Sequence, residues 1–547
     1  MNMSIRYCHM AAIAAAASAA FPLTVGAAVS TGAGADAVSP VVAHSLDTTV
    51  VPSLGTNIPE TMRGGTWKVI YSSAEGPEGR ALEVLTKRAG TYFLREAHFA
   101  TPFVLPLEKD GGEIVDTKRD AFVIGVPEKN ATLRALLGGG NGGQRVVRPT
   151  DASAPIVPKG GYLIKTMHKN GRNVVVIAGD NPSAVLWGVF DFLDVVVPDL
   201  EAGMAGSHGR YPGTVFRGGK IPSREYATAP ETPVRSAWTW GHVINDYNAS
   251  FREMARARFN RAIIWNDRQI VNAKEVVECA HSWGIEVYWG FHWGWGIKVD
   301  VNRLDELSDS IVDEWRRIWR PMGGDGIYFQ SFTETSAQEI GGRLIADIVT
   351  ELVNKTAKKI HAESPNTDII FGLHASSIHK KGATEAIART DPSLEILWED
   401  CGAFPFHDTG LSPKMISYCD KILALTPSVG FCWKAQLRID WGHFRRPLAG
   451  PFLLGCASEQ LIERDRALTL PRHAPIDEYW IKNGKWAYDF VKHVREGKHQ
   501  PKEFSAVAEY NPPYSFATFC QSELFWSTKD SWEELARRAR ARARPEK

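Results

Sequence analysis

Two stretches of the chain end in groups that could do acid–base chemistry. The first, Gly326-Ile-Tyr-Phe-Gln-Ser-Phe-Thr-Glu-Thr335, begins apolar, as a buried strand does, and finishes in hydroxyls, an amide and the carboxyl of Glu334. The second, Leu394-Glu-Ile-Leu-Trp398, runs straight into Glu399 and Asp400. Cleaving a glycosidic bond takes one carboxylic acid to protonate the leaving oxygen and a second carboxylate to act as base or nucleophile. Glu334 fits the acid, because Phe329 and Phe332 beside it would raise its pKa. Glu399 or Asp400 fits the group that activates water. Each acid also has a plainer use. Glu334 can cap a helix N-terminus near Ser336, and Glu399 and Asp400 can be ordinary loop charges.

Polar and aromatic groups recur at the ends of the other strand-like runs. Trp240 and His242 follow the first run, Trp265 and Asp267 the second, and His292, Trp293 and Trp295 the third. His374 ends the fifth, Trp398 the sixth, and Trp433 with Lys434 the seventh. Indoles offer flat apolar faces to the C–H faces of sugars. Trp240, Trp265, Trp293, Trp295 and Trp398 are therefore expected to wall a sugar pocket, with the other groups as substrate contacts. Lys434, Arg438, Arg445 and Arg446 offer cations for an anionic sugar, whose carboxylate a guanidinium matches in bidentate fashion. The seventh run carries no carboxylate and the nearest acid is Asp440, which favours inversion with a water between the two carboxyls. His242, His292, His374 and His379 lack a tight metal spacing such as H-E-x-x-H, so neither a metal nor a cofactor is implied. The rival readings are a polysaccharide lyase with His292 or Tyr328 as base, and a non-catalytic glycan-binding protein.

These groups need a scaffold that brings strand ends together. From Val234 onward the pattern alternates strand and helix: strands at Val234–Trp240, Ala262–Trp265, Ile285–Phe291, Gly326–Thr335, Asp368–His374 and Leu394–Trp398, then Val429–Lys434 and Pro451–Gly455 as seventh and eighth. Helices are predicted between them, including Leu304–Trp319 and Glu339–Glu363. Repeating β/α units predict a (β/α)8 barrel over residues 230–457, with chemistry at the C-terminal ends of its strands. Before it, residues 61–202 read as an α+β accessory domain. Its Tyr162–Met167 and Val174–Gly179 strands form a hairpin around Asn170-Gly-Arg-Asn. Residues 458–547 read as a helical region on the barrel flank. The fold class is thus α/β, with an accessory domain, a central barrel and a C-terminal helical region.

At 547 residues the chain has room for two or three domains. Its net charge of +1 gives no broad field for nucleic acid or an anionic membrane, and carbohydrate is the partner that the acids and indoles point to. The oligomeric state stays open, a homodimer included. Arg6 and the small apolar stretch Ala11 to Ala28 read as an export signal over residues 1–28, with a linker over 29–60. Export to the periplasm or the extracellular space follows. Of the seven Cys, none forms a C-x-x-C pair, and one bridge among Cys401, Cys419, Cys432 and Cys456 is allowed. The Arg-rich tail, Arg537 to Arg544, reads as a solvated helix end.

The segment Val174-Val-Val-Ile-Ala-Gly-Asp-Asn-Pro-Ser-Ala-Val-Leu-Trp-Gly-Val-Phe-Asp-Phe-Leu193, with Tyr162-Leu-Ile-Lys before it, resembles the N-terminal domain of the alpha-glucuronidases of glycoside hydrolase family 67. It is similar as well to accessory domains in families 20, 84 and 115. The resemblance covers residues 60 to 200 and implies that a catalytic barrel follows. It also implies an alpha-glucuronidase-like glycosidase acting on polysaccharide-derived, uronate-containing oligosaccharides. In family 67 a strand-four Glu serves as acid, the place Glu334 takes here, and later carboxylates serve as base. The Asp-Glu dyad of family 20 is absent, since Thr333 precedes Glu334.

Overall fold

The structure is a computed structural model. It describes residues 67–93, 105–112, 119–138, 157–202, 214–216, 220–240, 244, 246–265, 270, 272–294, 297–333, 335–374, 377, 379–399, 413–426, 428–433, 459–506 and 514–544. The segments expected to form an export signal, a linker and a strand over 451–455 fall outside these residues.

The accessory domain is a six-stranded sheet. Its strands are β1 (Lys68–Tyr71), β2 (Leu107–Lys109), β3 (Ala121–Gly125), β4 (Tyr162–Lys169), β5 (Arg172–Gly179) and β6 (Arg224–Thr228), in the order β2-β1-β3-β5-β4-β6. β3 is buried along its whole length because both faces of the sheet are covered. Helices Gly76–Phe93 and Pro182–Asp191 lie on one face. Leu133 and Leu137 of helix Ala131–Leu137 pack with Ile70, Val123 and Val176 on the other. β4 and β5 form the expected antiparallel hairpin, with Lys169 opposite Arg172 and only two residues between them. Asn170 (φ 52°) and Gly171 (φ 75°) take the left-handed conformation that such a turn demands.

The second sheet is a closed barrel of eight parallel strands. They are β7 (Val234–Trp240), β8 (Arg261–Trp265), β9 (Glu286–Trp293), β10 (Gly326–Ser331), β13 (Asp368–Leu373), β14 (Glu395–Glu399), β15 (Val429–Trp433) and β16 (Glu503–Ala506). β11 (Glu339–Ile340) and β12 (Arg343–Leu344) form a small separate hairpin. They replace the first turns of the predicted Glu339–Glu363 helix, which begins at Ile345. Gly341 and Gly342, at φ 56° and 77°, make the turn that breaks the helical pattern.

The eighth strand corrects the expected barrel boundary. It comes from residues 503–506, beyond the 457 limit, and closes the ring by pairing with β15 and β7. Its inward residues, Glu503 and Ser505, are polar and fully buried. A four-residue strand that turns a carboxylate inward has no apolar run to reveal it. The carboxylate is answered at the N-terminal end of the bore. Arg261 pairs with Glu503 at 2.5 Å and Glu395 at 3.2 Å, Ser236 donates to Glu503, and the Tyr288 ring lies 4.2 Å from the guanidinium.

The Arg-rich tail is also corrected. Helix Trp532–Arg542 turns Arg538 and Arg542 inward, four residues apart on one face. Both meet the buried Glu523 at 2.9 Å, Arg258 joins it at 2.5 Å, and Arg542 also pairs with Asp191. Burial works to raise the Glu523 pKa, but the three guanidinium groups outweigh it and hold the carboxyl far below the usual range. Nearby, Asp194 pairs with Arg256 at 2.7 Å and Arg88 at 2.9 Å. This network joins the accessory domain, the barrel and the C-terminal helices, which belong to one compact unit.

Candidate active site at the C-terminal end of the barrel

Which side chains reach the bore follows from strand alternation. Register pairs Tyr328 with Gly290 and Ile370, Gln330 with His292 and Gly372, and Glu399 with Cys432. The bore is therefore lined by Tyr328, Gln330 and Glu399 towards its C-terminal end. His292, exposed, and His374, half-buried, sit at the same end. Trp265 is buried and turned inward, 6.0 Å from the Tyr328 ring, and Trp238 flanks the same ring at 5.7 Å.

Tyr328, Gln330 and Glu399 form one hydrogen-bonded group. The Tyr328 hydroxyl donates to Glu399 Oε1. The Gln330 amide donates to the same carboxylate oxygen and, at 3.1 Å, to the Tyr328 hydroxyl oxygen. All three side chains are almost wholly buried. Burial first, and the Glu399 charge second, push the Tyr328 phenol well above its ordinary pKa. The group fits because residue 372 is glycine. A Cβ there would collide with the Tyr328 oxygen and stand 2.8 Å from Glu399 Oε1.

The loops that flank the site are tied together. Lys380 donates to the carbonyls of Thr335 and, at 2.8 Å, Ala337, the residues that follow Glu334 in the chain. Burial lowers the Lys380 pKa. Gln338 reaches the His379 carbonyl at 3.3 Å and accepts from the Lys381 amide at 2.8 Å.

Of the sequence-derived candidates, the structure brings Trp265, His292, His374 and Glu399 to this end of the bore. Glu334, Asp400, His242, Asp267, Trp295 and Lys434 lie outside the described residues, as does the side chain of Trp240. Trp293, Trp398 and Trp433 require correction. They point away from the bore into the layer between sheet and helices. Trp293 stacks on Phe329 at 3.6 Å, Trp398 meets Tyr418 of helix Pro413–Leu425 at 5.2 Å, and Trp433 meets Phe525 of helix Phe516–Trp526 at 5.2 Å. Adjacent residues on a strand face opposite ways, so Trp398 and Glu399 cannot share a pocket, nor can His292 and Trp293. Gln330 and Trp238, which stand at the ends of the fourth and first strand-like runs, join these groups in the bore. The two-residue period, counted from Tyr328 and from Ser236 along their own strands, puts both on the bore face.

Among the described residues, no group of three or more His, Cys, Asp or Glu side chains could hold a metal ion. No described helix is long and apolar enough to cross a membrane. Cys279, Cys419, Cys432 and Cys520 are buried. Cys401 and Cys456 lie outside the described residues.

No protein-family model matches the chain, and no curated protein matches its sequence. Solved structures do share its fold. A chain described as CpGH84B aligns with TM-score 0.50 and 11% identity, covering 86% of this chain and 70% of that one. CpGH84D aligns with TM-score 0.49 and 10% identity, covering 86% and 68%. A GH138 enzyme described as targeting pectin rhamnogalacturonan II aligns with TM-score 0.38 and 11% identity over 67% of this chain and 42% of that one. These neighbours are glycoside hydrolases, and the barrel with its preceding sheet domain is the layout shared with CpGH84B.

Proposed function

We propose that the protein is an exported glycoside hydrolase that acts on polysaccharide-derived oligosaccharides, including uronate-containing ones. The observation that carries this reading is the carboxylate of Glu399 turned into the C-terminal end of the bore, two strands round the barrel from β10, which leads to Glu334. Neighbouring strands stand about 4.8 Å apart. Two such spacings put the backbones about 9.6 Å apart, from which inward-leaning carboxyls can reach the roughly 6.5–9.5 Å separation that leaves room for an attacking water. The shared fold of CpGH84B adds support at the level of architecture only.

Within this reading Glu334 donates a proton to the leaving oxygen. Glu399 is fully buried and already accepts from two donors, which favours its neighbour Asp400 as the group that activates water, with Glu399 in a positioning role. Trp265, His292 and His374 contact the sugar at the mouth. The lyase alternative loses Tyr328 as its base: the phenol gives its hydrogen to Glu399, and burial opposes ionisation. His292, exposed at the mouth, remains the base that a lyase would use.

Incubation with a panel of plant, algal and microbial glycans separates the possibilities. A hydrolase releases reducing ends with no new ultraviolet absorbance. Absorbance rising with the reducing ends identifies a lyase, and binding without either product identifies a glycan-binding protein.

A further inference from the structure

The hydrogen-bond inventory of Gln330 has one group left over. A carboxamide has two N–H donors and one carbonyl oxygen. One N–H goes to the Tyr328 oxygen at 3.1 Å and the other to Glu399 Oε1. The reverse orientation would set the amide oxygen against a carboxylate, acceptor against acceptor, so the direction of the group is fixed by its partners. Tyr328 cannot donate to the Gln330 oxygen, because its own hydrogen goes to Glu399. The Tyr328 ring is held by Trp238 and Trp265 on its flanks, and Gly372 leaves the space the group occupies. No hydrogen bond reaches Gln330 Oε1 from the described residues, and this oxygen is not among the buried polar atoms sealed away without a partner. The side chain is only 3% exposed, and this oxygen is the one of its polar atoms that takes no hydrogen bond from the described residues. It belongs to the strand whose register partner, His292, is exposed at the mouth.

We propose that Gln330 is a substrate-recognition residue: its carboxamide oxygen accepts a hydrogen bond from one hydroxyl of the sugar at the base of the mouth, and Glu399 and Tyr328 are the positioning residues that aim it. This rests on the carbohydrate reading above. A hydroxyl bound by a fixed, nearly buried acceptor is a specificity determinant, because an analogue lacking it leaves the acceptor unpaired. The hydrogen bond needs no charge on the sugar, so it reads hydroxyl position and not uronate character.

The test uses the full chain. Wild type is screened against 4-nitrophenyl glycosides of common hexoses, pentoses and uronic acids, and kcat/KM is then measured on the monodeoxy derivatives of the best one. One deoxy position is expected to cost wild type about 10-fold or more. In Gln330→Met the same deletion is expected to cost less than about 2-fold, while the other deoxy positions keep their wild-type penalties. Tyr328→Phe and Glu399→Gln, which loosen the aim, give an intermediate penalty at that one position. Gln330→Asn serves if Gln330→Met fails to fold, since its shorter amide withdraws the oxygen. A variant that discriminates every monodeoxy analogue as wild type does overturns the proposal and leaves the hydrolase reading standing. No turnover or binding of any glycoside by wild type sinks that reading and this inference together.

Discussion

The two ends of the barrel bore both turn carboxylates inward, and they treat them differently. At the N-terminal end, Glu395 and Glu503 surround Arg261, with Ser236 and the Tyr288 ring completing the cluster. The buried carboxyl groups there are answered by a guanidinium, as expected of a barrel floor that serves stability. At the C-terminal end, Glu399 draws on a phenol and a carboxamide, and the carboxamide oxygen takes no hydrogen bond from the described residues. One end closes the bore. The other holds its polar groups in fixed directions with capacity left for a ligand.

The sharpest way to break this contrast is to alter the C-terminal end. Asp400→Asn is expected to lower kcat by about 10²–10⁴-fold, the range for loss of a general base, with unchanged thermal unfolding. Glu399→Gln should cost far less, about 10-fold, because it weakens the aim of a neighbour and removes no reacting group. If the two losses come out in reverse order, Glu399 is the base and the positioning role is wrong.

Arg261→Met probes the other end. It leaves two buried carboxylates without their guanidinium, and loss of one partner of a buried pair costs roughly 3–5 kcal/mol. Chemical denaturation should show that loss while kcat of the folded fraction holds. A fall in kcat with intact stability would erase the distinction between the two ends.

A smaller effect lies in the pH dependence. Burial, with Glu395 alongside, pushes the Glu503 pKa up to about 8 against the opposing pull of Arg261. The folded state thus keeps a proton that the unfolded chain releases near 4.5, so folding binds protons between those values. The Glu503 contribution is fully present below the unfolded pKa and declines as pH rises to about 8. Melting temperatures across that window should fall for wild type and flatten for Glu503→Gln. Equal slopes would contradict the assignment.

Seven of the eight barrel strands and the Asn-Gly hairpin are legible in the sequence, because each carries an apolar run or a turn signal of its own. β16 is not, since Glu503 makes sense only beside Arg261, 242 residues away. Arg538 and Arg542 mislead for the same reason: their partners Glu523 and Asp191 come from other elements. In the candidate site the strand ends are located correctly, but assigning five indoles to one pocket disregards alternation. Trp398 beside Glu399, and Trp293 beside His292, can be separated by the two-residue period alone.

The central claim is that Glu334 protonates a leaving oxygen at this end of the barrel. Its most direct test compares Glu334→Ala with wild type on two glycosides of the sugar the protein releases, one with an oligosaccharide leaving group and one with 2,4-dinitrophenolate, which departs without a proton. The account predicts a loss of about 10²–10⁴-fold in kcat on the first and little loss on the second. Equal losses on both, or none on either, would contradict it.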